Sequence, residues 1–136
     1  MPNAFVDSNV LIYAADESAP ADRKTRIARE LLRQRNLYLS VQVLSEFTVN
    51  ARSKAKLNLS PEQEQEWLCG WLLFPVVALT VETFLAARLI HLRYQISHWD
   101  SLIVASACET NCSLLYSEDL NHGQDFDGVK VINPFL

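Results

Sequence analysis

The chain has 136 residues, 49% hydrophobic and 21% charged, with a formal net charge of -4. That is the composition of a globular protein, neither disordered nor fibrous, and its length suffices for one domain with a real core but not for two ordinary ones; residues 1–136 are expected to form a single domain. The longest apolar run, Trp71 to Leu79, is broken by Pro75 and falls well short of the ~18 residues a membrane span needs.

No basic stretch precedes the charged Asp7, so no secretion signal is evident and cytoplasmic residence without membrane contact is expected. Cys69, Cys108 and Cys112 form no C-x-x-C pair, and His91, His98 and His122 match no metal motif. Cys108 and Cys112 are four residues apart and read as small buried apolar groups, and no zinc is expected.

In chain order, the first strand is predicted at Ala4–Val6 and runs directly into Asp7 of "FVDSNVLIYAAD". A carboxylate between two apolar stretches is either a helix cap or a group held at the mouth of a sheet. Asp22–Arg35 follows as a helix, with Ile27, Ala28, Leu31 and Leu32 on one face. It is rich in Arg23, Lys24, Arg26, Arg29, Arg33 and Arg35, and nine of the twelve basic residues lie between Arg23 and Lys56. Such a segment either tracks a phosphate backbone or is a solvated helix face.

Leu37–Leu39 is the second predicted strand, and Ser40 caps a helix running through Phe47 towards Arg52. Ser60-Pro61-Glu62-Gln63 is a capping box with proline at the first helical position, opening a helix to about Leu73. Val76–Leu79 is a third strand, and Thr80 begins a helix carrying Ala86, Leu89, Ile90 and Arg93. Ser97 starts the last long helix, through Ile103 and Ala107 to about Thr110. Leu114–Tyr116 and Val129–Ile132 complete a set of about five strands. Strands alternating with helices predict an α/β fold of three layers, a mainly parallel central sheet flanked by helices.

In such sheets the reactive crevice lies outside the carboxyl ends of the strands. Asp7 follows the first strand and Asp119 the fourth; Glu46 lies on the helix after the second strand, and Asp100 in the first turn of the helix feeding the fourth. Each has an ordinary reading. Asp100 completes a capping box with Ser97, Asp119 ends a strand through an Asx-turn, and Asp7 caps the following segment. Glu46, among Val41, Val43, Leu44, Phe47 and Val49, is predicted on a mostly buried helix, where a carboxylate is rare unless paired or metal-bound. Convergence of the four favours a site.

The stretches "FVDSNVLIYA", "SVQVLSEF", "SHWDSLIVASA" and "LLYSEDLNHGQDFDGVKVINPF" together resemble the PIN-domain family, and within it the VapC-type toxin ribonucleases, from the first strand to Asn133-Pro134-Phe135. Position 8 is Ser where the family often has Thr. The resemblance implies an acidic Mg²⁺- or Mn²⁺-dependent ribonuclease site on Asp7, Glu46, Asp100 and Asp119, an RNA substrate, a homodimer, and a small antitoxin protein whose tail occupies the groove. Glu118 and Asp125, nearby acids with no motif match, stay outside this set.

Bare carboxylates repel an anionic phosphodiester, and a bound divalent ion inverts that local sign. Asp7, Asp100 and Asp119 are assigned as metal ligands. Glu46 is either a fourth, through water, or the group orienting the attacking water; Ser8, Asn9 and Ser117 are assigned as hydrogen-bonders to the ligands. Two other readings stand beside this one. A non-catalytic PIN-like binding module would have lost some of the four acids, and a haloacid-dehalogenase-like phosphatase would carry a second Asp where this chain has Asn9.

Overall fold

A computed structural model describes residues 2–136. Ala4–Val6, fully apolar and buried, forms the strand β1 at the middle of the sheet. Asp7 then caps a short helix α1, Ser8–Ala14. After a turn comes α2, Arg23–Leu31, capped by Asp22, and the chain re-enters the sheet as β2, Leu37–Ser40.

Ser40 ends that strand and caps the next helix with its hydroxyl, so α3, Val41–Arg52, starts without a loop. The capping box at Ser60 and Gln63 is made as the sequence predicts and opens α4, Pro61–Trp71. Then follow β3, Val76–Val77; α5, Val81–Tyr94; α6, His98–Glu109; β4, Leu114–Tyr116; β5, Asp125–Phe126; and β6, Val129–Ile132.

The sheet order is β3-β2-β1-β4-β6-β5, with every pairing parallel except β5 against β6. The sheet is flanked by helices. α6 packs on β2, β4 and β6 beneath α5, while α1 packs on α2 and α3, and α3 on α4. Small residues set the first of these arrangements. Ser101, Ala105, Ser106 and Ala107 are buried, and their size lets α6 lie close against the strands. Phe5, Phe47, Phe126 and Leu115 fill the core.

The sequence reading needs four corrections. Helix α1 was not among the predicted elements, although its cap is the Asp7 that the pattern singled out. Helix α2 stops at Leu31 instead of Arg35: the following turns tighten to i→i+3 bonds, and Asn36 takes a left-handed φ of 62°.

Strand β3 keeps only Val76 and Val77 at the sheet edge, with a neighbour on one side. The antiparallel β5 is additional. Its hairpin turn is Asp127-Gly128, both at positive φ (52° and 96°), the type I′ geometry that an Asp-Gly pair favours.

Candidate active site

β1 lies between β2 on one side and β4 on the other, so the chain leaves it in opposite directions, and a crevice opens where those connections part. Asp7 sits at this point. Its N–H donates to the Tyr116 carbonyl of β4 (3.0 Å), and its carboxylate accepts from the Ser8 N–H (2.7 Å) and the Ser117 hydroxyl (2.8 Å). It is 4% exposed. Cap or chemistry was a false alternative here, because the side chain caps α1 and also stands among the other acids.

Ser117 and Asn9 join the two strand ends. The Asn9 amide donates to Ser117 Oγ (3.4 Å) and to Asp119 Oδ2 (3.3 Å), while its carbonyl accepts from the Glu118 N–H (3.2 Å). The Asp119 N–H donates to Ser117 Oγ (3.1 Å). Ser8 stands beside Glu46, and with Gln42 favours the charged form of that carboxyl.

All four predicted acids are brought within electrostatic reach of one another. Asp7 feels Glu46 and Asp119; Glu46 feels Asp100 and Asp119; Asp100 feels Asp119. Burial, against the Ser117 and Ser8 hydrogen bonds and with the Glu46 and Asp119 charges, pushes the Asp7 carboxyl up to about 7. Burial also raises Glu46, with Asp100 and Asp119 adding to it, and burial and Asp119 raise Asp100 against the Ser97 hydroxyl.

Helix α3 is less buried than its sequence suggests, with Val41 and Val49 exposed. Glu46 is accordingly half-buried, but its Oε1 is shut from solvent and has no hydrogen-bond partner among the described residues. Asp100 differs from its capping-box reading. Its N–H donates to Ser97 Oγ (3.0 Å), but no bond runs back from the Ser97 N–H to its carboxylate, as one does at Ser60 and Gln63.

Glu118 adjoins Asp119 and points elsewhere. It accepts from Tyr13 (2.6 Å) and pairs with Lys24 (2.5 Å). Burial pushes its carboxyl up, but these two donors outweigh that and hold it below the usual range.

Lys24 is thus committed, and so is part of the basic segment. Arg23 donates to the Phe135 carbonyl (2.7 Å), Arg29 to the Ala14 carbonyl (2.8 Å) while stacking over Trp67 (5.6 Å), and Arg33 pairs with Glu30. None of these side chains lines the acidic cleft. Arg23, Lys24 and Arg29 thus tie the helix to its neighbours, while Arg33 meets only Glu30 of its own helix.

The cleft has a volume of about 550 Å³ and is lined by Glu46 and Asp119 with Ser8, Asn9, Gln42 and Trp99 among its walls. Asp7 lies beneath it, and Asp100 is next to Trp99 on α6. A second, adjoining hollow shares Asn9, Ile12, Asn50 and Asp119 and reaches Lys56, so one groove runs from Trp99 past the acids to a lysine.

The fit to a divalent ion can be judged on these side chains. Among the described residues, no salt bridge involves any of the four acids, and Glu46 Oε1 is an orphaned acceptor. Oxygen ligands without a counter-cation suit a hard cation. No three of His, Cys, Asp or Glu among the described residues stand close enough to form a ready-made cage. These carboxylates suit a hard divalent cation held partly through water molecules.

A doubly wound α/β protein with an acidic crevice at its switch point is the class that fold and site define. The profile described as PIN domain matches residues 4–125, and the chain belongs to the PIN-domain family. No curated protein sequence gives a significant match.

Among solved structures, the chain is similar to a toxin–antitoxin complex from Klebsiella pneumoniae (20% identity, TM-score 0.72, covering 97% of this chain and 98% of that one). It is also similar to a DNA-bound VapBC from Salmonella typhimurium (16%, 0.69, 96% and 97%). A third is VapC20 of Mycobacterium tuberculosis, a toxin that cleaves the sarcin–ricin loop (18%, 0.67, 86% and 90%). At these identities the likeness is one of fold.

Proposed function

We propose that residues 1–136 act as a single metal-dependent endoribonuclease domain, the toxin of a type II toxin–antitoxin pair. The observation that carries this reading is the group of four carboxylates, Asp7, Glu46, Asp100 and Asp119, gathered at one cleft with no cation among them. Membership of the PIN-domain family and a likeness in fold to toxin–antitoxin proteins support it.

Asp7, Asp100 and Asp119 would hold Mg²⁺ or Mn²⁺, directly or through waters, and the bound ion supplies a Lewis acid that lowers the pKa of water and stabilises a leaving oxygen. The chain does the rest. Ser117 and Asn9 fix the carboxylates of Asp7 and Asp119 in orientation. Glu46, with its raised proton affinity and orphaned Oε1, receives the proton of the water that attacks phosphorus.

Chain chemistry of this kind leaves the ribose 2′-OH idle, and no histidine lines the cleft to shuttle protons to and from it. Cleavage should therefore yield 5′-phosphate and 3′-hydroxyl ends. Incubation of total RNA with Mg²⁺ or EDTA, followed by mapping of the new ends, tests this; 2′,3′-cyclic phosphate ends would rule the mechanism out.

A phosphatase reading finds no second aspartate, since Asn9 occupies that position and is committed to Ser117 and Asp119. A non-catalytic module is disfavoured by the retention of all four acids.

The same reading makes the protein a cytoplasmic homodimer neutralised by an antitoxin. Val81, Leu85, Leu89 and Leu92 stand exposed along one side of α5, an apolar stripe suited to a second copy. Among the described residues no helix is long and apolar enough to cross a membrane.

A further inference from the structure

We propose that Trp99 is a stacking platform that holds a nucleobase next to the scissile phosphate. This rests on the ribonuclease reading above and names the part of the RNA that the site selects.

Trp99 is 61% exposed, yet it lines the cleft together with Glu46 and Asp119. It occupies the first turn of α6, immediately before Asp100. Among the described residues its indole N–H meets no acceptor, whereas that of Trp67 donates to Glu17 (2.9 Å). A large apolar ring left in water beside a charged site is explained if a ligand covers it.

The ring's position is also built. Gln42, 5% exposed, donates its amide to the Trp99 carbonyl (3.1 Å). A carbonyl only accepts, so this bond fixes the orientation of the amide. Gln42 Oε1 is thereby left buried in the cleft wall without a partner among the described residues, one helical turn from Glu46 Oε1, which also has none among them. His98 braces the indole edge-on (5.0 Å, 70°) and itself meets Phe84 (5.8 Å).

The walls between Trp99 and the acids point to a base as the occupant. Ser8, Asn9, Gln42, Ser45 and Asn50 are polar but uncharged, with Ile12 and Val49 as the apolar part. Such a surface suits a flat heteroaromatic ring carrying hydrogen-bonding edges, while an acidic peptide would be repelled by Glu46 and Asp119. A base inside a duplex is already stacked on both faces and cannot use the indole. An unpaired one can, and every base offers the same π-face.

The test is binding without cleavage. A short unstructured RNA oligonucleotide and a hairpin stem of the same composition are titrated with the full chain in Ca²⁺, and cleavage is then measured in Mg²⁺. Trp99→Ala should raise the oligonucleotide Kd roughly 10-fold or more, and Trp99→Phe by no more than about 3-fold. The effect should appear in KM with kcat largely retained, and the hairpin stem should bind weakly to all three proteins. Because the ring is exposed, melting temperatures should change little.

Two outcomes would overturn the proposal while leaving the ribonuclease reading intact: unchanged binding by Trp99→Ala, or a changed oligomeric state in sedimentation, which would make the ring a subunit contact. A wild-type protein that neither binds nor cleaves RNA would remove both.

Discussion

Asp100→Asn is expected to abolish Mg²⁺-dependent RNA cleavage and to leave the metal-free protein as stable as wild type or slightly more so. Loss of a ligand that positions a Lewis acid removes several kcal/mol of transition-state stabilisation, roughly a 100- to 1000-fold fall in kcat. Stability moves the other way because Asp100 faces Asp119 and Glu46 with no cation between them.

At 4 Å and an effective dielectric of 20 such a pair repels by ~4 kcal/mol. Asp100 is only half-buried, so solvent screening reduces the expected gain to about 1 kcal/mol. A capping role predicts the opposite, but the cap at Ser97 is made to the backbone N–H of residue 100 and survives the substitution. Mg²⁺ should also raise the Tm of wild type more than that of the variant, since a ligand stabilises only the state that binds it. Equal destabilisation with and without metal, together with intact cleavage, would take Asp100 out of the site.

Metal-free protein should lose stability as the pH rises from 4 to 7. The Asp7 carboxyl titrates at about 7 in the folded chain, above its ordinary 3.8. The folded state therefore keeps a proton that the unfolded state releases. The stabilisation from that proton is complete below about pH 3.8 and is lost as the pH climbs through 7, a change on the order of 4 kcal/mol for a carboxyl this deeply buried.

The raised Glu46 and Asp100 carboxyls act in the same direction. Mg²⁺ competes with these protons, so its stabilising effect should grow over the same interval and cleavage should fall away in acid. Urea unfolding in EDTA across this range measures the first effect; a flat or rising profile would mean that Asp7 is not held among uncompensated acids.

Much of this was legible in the chain. The period-2 and period-3.6 patterns located five strands and five helices, and the caps at Ser40, Ser60, Thr80 and Ser97 are made where the sequence placed them. Parallel α/β topology then put the acids at one sheet edge. Helix α1 was missed because seven residues offer too few turns for a periodic signal, and β5 because two residues make no pattern; its Asp127-Gly128 turn was the available clue.

The role of the basic segment was not legible. Charge alone does not tell a phosphate-binding arginine from Arg29, which is spent on the Ala14 carbonyl and the Trp67 ring. Nor does sequence reveal that Trp99 stays exposed while Trp71, of the same residue type, is buried.

The hydroxyl of Ser117 carries one proton, and that proton is committed. Its oxygen already accepts from Asn9 and from the Asp119 N–H, so its hydrogen is directed to Asp7 Oδ2, while Asp7 Oδ1 accepts from the Ser8 N–H. Both oxygens of residue 7 are thus required as acceptors. An asparagine there, the usual choice for disarming an acidic enzyme, would turn an N–H₂ group towards another donor whichever way it flipped, at a cost of about 1–3 kcal/mol. Side-by-side melts of the two amide variants in EDTA near pH 4, where the wild-type Asp7 carboxyl already holds its proton and amidation relieves no charge, should find Asp7→Asn the less stable. On the ribonuclease reading proposed above, position 100 is the place to disable the site without disturbing its hydrogen bonds.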